Sequence, residues 1–97
     1  MEGRVEVFHD GEWGTVCDDG FGIEEARVVC VELGFPHTDV QIAGHRQFGD
    51  GEGPIWLDGV FCDGSEDELL ECEHHEWGSN DCEHSEDVGV ICGGKWN

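Results

Sequence analysis

Basic residues are scarce in this sequence. Four lysine and arginine residues stand against 24 aspartate and glutamate residues, and the formal net charge is −20. Nucleic acids and anionic membrane surfaces bind to basic faces, so the composition argues against both as partners. Cations, either metal ions or basic proteins, are the partners that such a charge favours. The alternative is an acidic surface that only keeps the protein soluble.

Long apolar segments are also missing. No apolar run approaches the ~20 residues that cross a bilayer, and no signal peptide is recognisable, so we expect no membrane insertion. The 97 residues suffice for one domain with a thin core. We therefore expect residues 1–97 to form a single domain of a larger secreted or cell-surface protein.

The closely spaced cysteine pairs of most structural zinc sites are absent as well. An even number of cysteines in a short chain favours disulfide bonds, which a thin core needs and which persist in an oxidising, extracellular environment. The number alone leaves the pairing open. The six cysteines are Cys17, Cys30, Cys62, Cys72, Cys82 and Cys92.

Local patterns predict strands in the first part of the chain, followed by a helix. Polar and apolar residues alternate over 4–8, and Asp10-Gly11 is typical of a tight turn that returns the chain as a second strand over 12–17. Apolar residues at helical spacing predict the main helix over 23–33, which Gly34 and Pro36 end.

The second half is less regular. Residues 37–54 are rich in glycine and are predicted to form a long loop. Strands are expected over 55–62 and 88–92. Ser65 and Glu68 fit a capping box that starts a short second helix. We predict that Trp13 and Trp56 lie in the core and that Trp77 packs beside it.

Several segments together resemble the scavenger receptor cysteine-rich (SRCR) domain. With the six cysteines they extend over nearly the whole chain, and six cysteines are typical of its group A form. The segments include Gly3-Arg4-Val5-Glu6-Val7, Trp13-Gly14-Thr15-Val16-Cys17-Asp18-Asp19, Ala26-Arg27-Val28-Val29-Cys30, Gly53-Pro54-Ile55-Trp56-Leu57-Asp58 and His84-Ser85-Glu86-Asp87-Val88-Gly89-Val90-Ile91-Cys92.

The resemblance implies an α+β fold: a small disulfide-rich domain in which a curved antiparallel β-sheet cradles one main α-helix, with a short second helix. It also implies the disulfide bonds Cys17–Cys82, Cys30–Cys92 and Cys62–Cys72.

The chain departs from the family in two respects. The family usually has one more apolar strand before Gly3, which this chain lacks; either the start is trimmed or Lys95-Trp96-Asn97 has an unusual role. Scavenging members hold polyanions with clustered arginines, whereas the basic residues here are scattered. Polyanion binding through a basic patch is therefore not expected.

The resemblance also implies cation sites. Calcium-binding members use the acidic pair after the first cysteine together with the glutamate of the His-Ser-Glu-Asp segment, which are Asp18, Asp19 and Glu86 here. A weaker second site is implied at Asp58 and Asp81. Calcium prefers several oxygen ligands, and magnesium is a possible substitute.

Simpler interpretations stay open for these residues. Asp18 and Asp19 are also typical of a turn, and Glu86 is free to form an ion pair with Arg4 or Arg27.

Two other chemistries receive little support. His74, His75 and His84 offer zinc ligands, but adjacent histidines on a loop are usually solvated. Residues 84–87 contain the residue types of a hydrolase triad, yet triads converge from separate segments. We therefore do not expect an enzyme.

These arguments predict an extracellular recognition module that binds a protein or glycan ligand, cationic or bridged by a cation, with the help of bound calcium. The alternative is a structural spacer with an acidic, solubilising surface and no dependence on cations.

Overall fold

A computed structural model describes residues 2–36 and 38–93, with only the backbone described at residues 45 and 46. The three residues 95–97, for which a role was considered above, lie outside this part of the chain. Within it, no helix is both long and apolar enough to cross a membrane.

The described residues form an α+β domain with six strands in two three-stranded sheets. The first sheet has the order β1-β6-β4 and is antiparallel, and the second has the order β2-β3-β5. In the second sheet β3 runs parallel to β5, so the predicted antiparallel pairing holds for every described pair but this one. The strands are β1 (Glu2–Arg4), β2 (Glu6–His9), β3 (Glu12–Val16), β4 (Val40–Ala43), β5 (Ile55–Leu57) and β6 (Gly89–Cys92).

The predicted hairpin is present between β2 and β3. Asp10 and Gly11 both have positive φ angles, of 54° and 81°, as a two-residue turn between twisted strands requires. The predicted first strand is divided into β1 and β2, because the N–H of Val5 donates to the carbonyl of Val88, 3.0 Å away. Val88 thereby connects the two sheets, since its own N–H donates to the carbonyl of Val16.

The main helix, α1 (Ile23–Glu32), is where the apolar periodicity predicts it. Its first turn is held by Glu25, whose carboxylate accepts hydrogen bonds from the N–H of Gly22 and the N–H of Cys62, both at 2.7 Å. The buried face includes Ala26 and Cys30, but Leu33 at the predicted end of the apolar stripe is half exposed.

Two predictions for the middle of the chain are wrong. The predicted loop over 37–54 contains β4 and a four-residue helix, α2 (His45–Phe48). The glycine-rich composition of this segment predicted a loop. Pairing with β6, rather than intrinsic strand propensity, stabilises β4. The predicted capping box does not form, since Ser65 donates from its hydroxyl to Asp63. The short second helix is a single 3₁₀ turn, Leu69–Glu71.

Three disulfide bonds join distant parts of the domain: Cys17–Cys82, Cys30–Cys92 and Cys62–Cys72. They are the pairs that the family resemblance implies. The Cys30–Cys92 bond fastens α1 to β6 through the centre of the core. The side chains packed there are small and branched, as expected for a thin core; fully buried members are Val16, Val28, Leu57, Val60 and Val88.

The tryptophans divide between core and surface. Trp56 and Trp77 are half-buried and pack against the core, with ring centroids 6.2 Å apart. Trp13 does not lie in the core as predicted: it is 60% exposed and contacts the equally exposed ring of Phe8.

Candidate cation site

The Cys17–Cys82 disulfide brings together two segments that are 65 residues apart in the sequence. Backbone contacts reinforce this junction. Cys17 pairs with Asp87 in an isolated antiparallel bridge, and the N–H of Asp18 donates to the carbonyl of Glu86 at 2.8 Å. The acidic pair after the first cysteine is therefore held directly against the turn that carries Glu86.

Three predicted ligands converge at this junction. One carboxylate oxygen from each of Asp18, Asp19 and Glu86 lies within 4.8 Å of the other two. The aspartates are exposed and Glu86 is half-buried, so the oxygens are accessible from solvent. Carboxylates at this separation repel each other unless a cation or protons compensate their charge.

The disulfide sulfurs border the cluster without serving as ligands, because a sulfur in a disulfide carries neither a proton nor a thiolate charge. The carboxylate of Glu86 lies 3.8 Å from Sγ of Cys17, and that of Asp19 lies 3.9 Å from Sγ of Cys82. The disulfide bridge thus contacts the carboxylates of Glu86 and Asp19.

The simpler interpretation of Glu86 as an ion-pair partner has no support in the described contacts. The guanidinium of Arg4 pairs with Glu6 at 3.2 Å, and its other contacts are the carbonyls of Phe48 and Gly49. One carboxylate oxygen of Glu86 instead accepts the N–H of Glu83 in its own turn.

The predicted second pair is arranged differently from the first. Asp58 is 5% exposed, and its ligand atom groups with that of Asp19 rather than with Asp81. Asp81 is exposed and belongs to no described group of three ligand atoms within 4.8 Å. Asp58 also accepts the N–H of Gly59 and lies 3.7 Å from Nδ1 of His75. Asp19 therefore lies close both to Asp18 and Glu86 and to Asp58, an arrangement that the sequence did not indicate.

A buried carboxylate behind the site holds the turn of Glu86. Asp87 is fully buried and accepts the N–H of Gly51 at 2.7 Å and a bond from Nδ1 of His84 at 2.9 Å. The hydrogen bond to Asp87 raises the pKa of His84, and burial partly opposes this increase. Sequence reasoning missed Asp87, because its burial depends on the distant loop that contains Gly51.

The described contacts of the histidines also concern the two other chemistries considered from the sequence, a zinc site and a hydrolase triad. Both ring nitrogens of His84 are engaged, with Asp87 and with the carbonyl of Gly53, and neither is directed at Ser85 in the described hydrogen bonds. His74 contacts the ring of Trp77, and no described group of three potential metal ligands includes a histidine.

Comparison with known proteins agrees with the cysteine pattern. The family model for the scavenger receptor cysteine-rich domain matches residues 1–93. Among curated proteins, the chain is 57% identical over 91 residues to human lysyl oxidase homolog 4 and 56% identical over 94 residues to bovine lysyl oxidase homolog 2. These matches cover 94% and 97% of this chain but only 12% of each relative.

Solved structures agree with this assignment. The dimeric form of the SRCR domain of mouse MARCO superimposes with a TM-score of 0.86 at 41% identity, covering 96% of this chain and 87% of that one. The third SRCR domain of murine neurotrypsin gives 0.84 at 47% identity, covering 94% and 84%. The chain, a module about one eighth as long as its curated relatives, belongs to the scavenger receptor cysteine-rich family.

Proposed function

We propose that this domain is an extracellular, non-catalytic recognition module that uses a calcium ion held by Asp18, Asp19 and Glu86 to bind its ligand. The observation that carries the proposal is the convergence of three carboxylate oxygens within 4.8 Å on one disulfide-linked junction. Three disulfide bonds in a domain of this size support an oxidising, extracellular location.

The chemistry of the site fits a hard cation. Calcium takes six to eight oxygen ligands in flexible geometry, so three carboxylates leave positions for water and for oxygens of a ligand. An ion held by these residues would join the protein to an acidic side chain or to hydroxyl groups of a glycan. Magnesium requires stricter geometry and is expected to substitute less effectively.

The proposed ligand is a protein or a glycan, either cationic or bridged by the cation. A basic patch is not expected to hold a polyanion, since the sequence has only four lysine and arginine residues and they are scattered. One of them, Arg4, is already engaged with Glu6 and with backbone carbonyls of the α2 region. Asp58, whose carboxylate lies close to that of Asp19, adds buried negative charge behind the place where a cation would be held.

The second candidate is a structural spacer whose acidic surface confers solubility. The net charge of −20 favours it, because carboxylates distributed over a surface keep a module soluble without any specific ligand. The two candidates differ in whether calcium binds at a defined place.

Isothermal titration of calcium into the metal-free domain tests the proposal. We expect saturable binding that is lost in the Asp18→Asn, Asp19→Asn double variant. The matched control is Asp67→Asn with Glu68→Gln, which removes the same charge from exposed positions outside the described carboxylate groups. Equal loss of binding in both double variants, or no saturable binding at all, would favour the spacer.

A further inference from the structure

An apolar groove lies on the domain, built from elements that contribute no ligand to the candidate cation site. Its volume is about 680 Å³. One wall comes from the hairpin, with Val7 and Phe8 of β2 and Trp13 of β3; the other comes from Leu33 after α1 and from Leu69 and Leu70 of the 3₁₀ turn. The second wall is fixed, because the N–H of Leu69 donates to the carboxylate of Glu32 at 2.7 Å.

Four large apolar side chains that line the groove are exposed to solvent. Phe8, Trp13, Leu33 and Leu70 are 56%, 60%, 51% and 48% exposed. Phe8 and Trp13 also contact each other, with ring centroids 5.2 Å apart, so they form one continuous aromatic surface. Contiguous exposed apolar surface of this kind is typical of binding sites, whereas isolated exposed residues are not.

The groove is bordered by an open strand edge. In the described sheets β2 pairs only with β3, so its other edge has no strand beside it. In an antiparallel pair every second residue directs its N–H and C=O groups away from the partner strand. Residues 6–8 of β2 line the groove along this edge, which therefore combines unpaired backbone groups with apolar surface.

We propose that the open edge of β2 and this groove bind an extended, cationic segment of a partner protein by strand addition. In this mode backbone hydrogen bonds supply affinity, and alternate side chains of the added strand enter a groove. The occupant therefore alternates apolar residues, directed into the groove, with polar residues directed outwards.

Charge decides the character of those polar residues. The one cation among the lining residues, Arg4, is paired with Glu6. Glu32, which also lines the groove, is exposed and has no ion-pair partner among the described residues. Glu71, the neighbour of Leu70 in the sequence, is exposed as well. Lysine or arginine side chains of the occupant would face these carboxylates.

A second copy of this chain is the disfavoured occupant. Pairing two β2 edges would bring together two domains of net charge −20 and would oppose carboxylates such as Glu6. Like charges placed opposite each other across strands are destabilising. A basic segment would instead be attracted by the negative charge of the domain.

The test uses the isotope-labelled domain in EDTA and a blocked peptide of about seven residues, close to the usual strand length, that alternates valine and lysine. We expect the largest amide shifts in β2 and beside Leu33 and Leu70. Leu70→Ser and Phe8→Ser, both at exposed positions, should each weaken binding about tenfold. The matched control is Phe61→Ser, which removes an exposed ring, 65% accessible, that does not line the groove.

Two further peptides complete the test. A valine–glutamate peptide and a valine–lysine peptide methylated at alternate backbone nitrogens should bind at least about tenfold more weakly, because they lose the charge match and the backbone donors respectively. Equal binding of the methylated peptide, equal affinities of the Leu70→Ser and Phe61→Ser variants, or dimerisation of the free domain through β2 would overturn the proposal. Because EDTA removes calcium, failure here is independent of the cation site.

Discussion

At the scale of single residues, the contact between His84 and Asp87 links the candidate site to the core. Asp87 is buried beneath the turn that carries Glu86, and its carboxylate joins this turn to the loop at Gly51. Gly51 has to be a glycine, since a Cβ there would lie 2.5 Å from Cγ2 of Thr15 and 2.9 Å from Oδ2 of Asp87. The Asp87 carboxylate and the glycine at position 51 thus support, from the core side, the turn that carries Glu86.

This contact predicts a pH-dependent contribution to stability. The pKa of His84 is raised in the folded state, chiefly by its hydrogen bond to Asp87. Because the folded-state pKa is raised, protonation of His84 stabilises the folded domain. This stabilisation is complete below the unfolded-state pKa of about 6.5 and is lost as pH rises through the folded-state pKa. The difference in unfolding free energy between the wild type and His84→Gln should therefore be larger at about pH 5.5 than at about pH 8.5.

Urea denaturation in EDTA at the two pH values measures this difference. The comparison with His84→Gln is essential, because protonation of the many carboxylates changes the stability of both proteins alike. His74→Gln, at a histidine whose described contacts are the ring of Trp77 and the carbonyl of His75, is the control. A difference that is constant with pH would contradict the assigned role of His84.

At the scale of secondary-structure elements, those that local sequence encodes can be distinguished from those that depend on distant partners. The hairpin at Asp10-Gly11 and the helix α1 are encoded locally, by turn residues and by apolar spacing, and both appear where predicted. Strand β4 depends on its partner β6, and local patterns did not predict it. The short second helix was predicted in the right place, but it is a single 3₁₀ turn, Leu69–Glu71, joined to the end of α1 through Glu32.

The start of α1 provides a test of this coupling. Glu25 accepts the N–H groups of Gly22 and Cys62, so one buried carboxylate caps the helix and holds the segment that leads to the Cys62–Cys72 bond. Glu25→Ala leaves both donors without this acceptor and should lower the unfolding free energy by about 2 to 4 kcal/mol.

Chemical denaturation of the oxidised protein measures the loss. Glu24→Ala, at the neighbouring exposed position, should change stability by no more than about 0.5 kcal/mol. Similar losses in the two variants would mean that helix propensity or net charge, rather than the two hydrogen bonds, is responsible.

At the scale of the whole molecule, charge is the dominant feature. A net charge of −20 on 97 residues favours expansion by self-repulsion, and the three disulfide bonds oppose it by restricting the unfolded chain. The Cys17–Cys82 bond concentrates the repulsion locally, because it gathers Asp18, Asp19 and Glu86.

Calcium is accordingly expected to stabilise the domain. Binding to the native state alone contributes roughly 2.7 kcal/mol at roughly a hundredfold excess over the dissociation constant, which corresponds to a rise in Tm of about 10 °C or more for a domain of this size. Differential scanning calorimetry with calcium, against sodium chloride at matched ionic strength, separates binding from screening. The same calcium-specific rise in the Asp18→Asn, Asp19→Asn variant would rule out the site.

The sequence accounts, through its composition and through neighbours along the chain, for the acidic charge, the disulfide-rich class, the hairpin and the main helix. Through the family pattern it also indicated the cysteine pairs and the residues Asp18, Asp19 and Glu86. Three features are apparent from the folded chain alone: Asp58 lies close to Asp19, Asp87 is buried behind the site, and Trp13 is exposed beside an open strand edge. These features depend on chain closure between residues far apart in sequence, and no local period or turn signal carries that information.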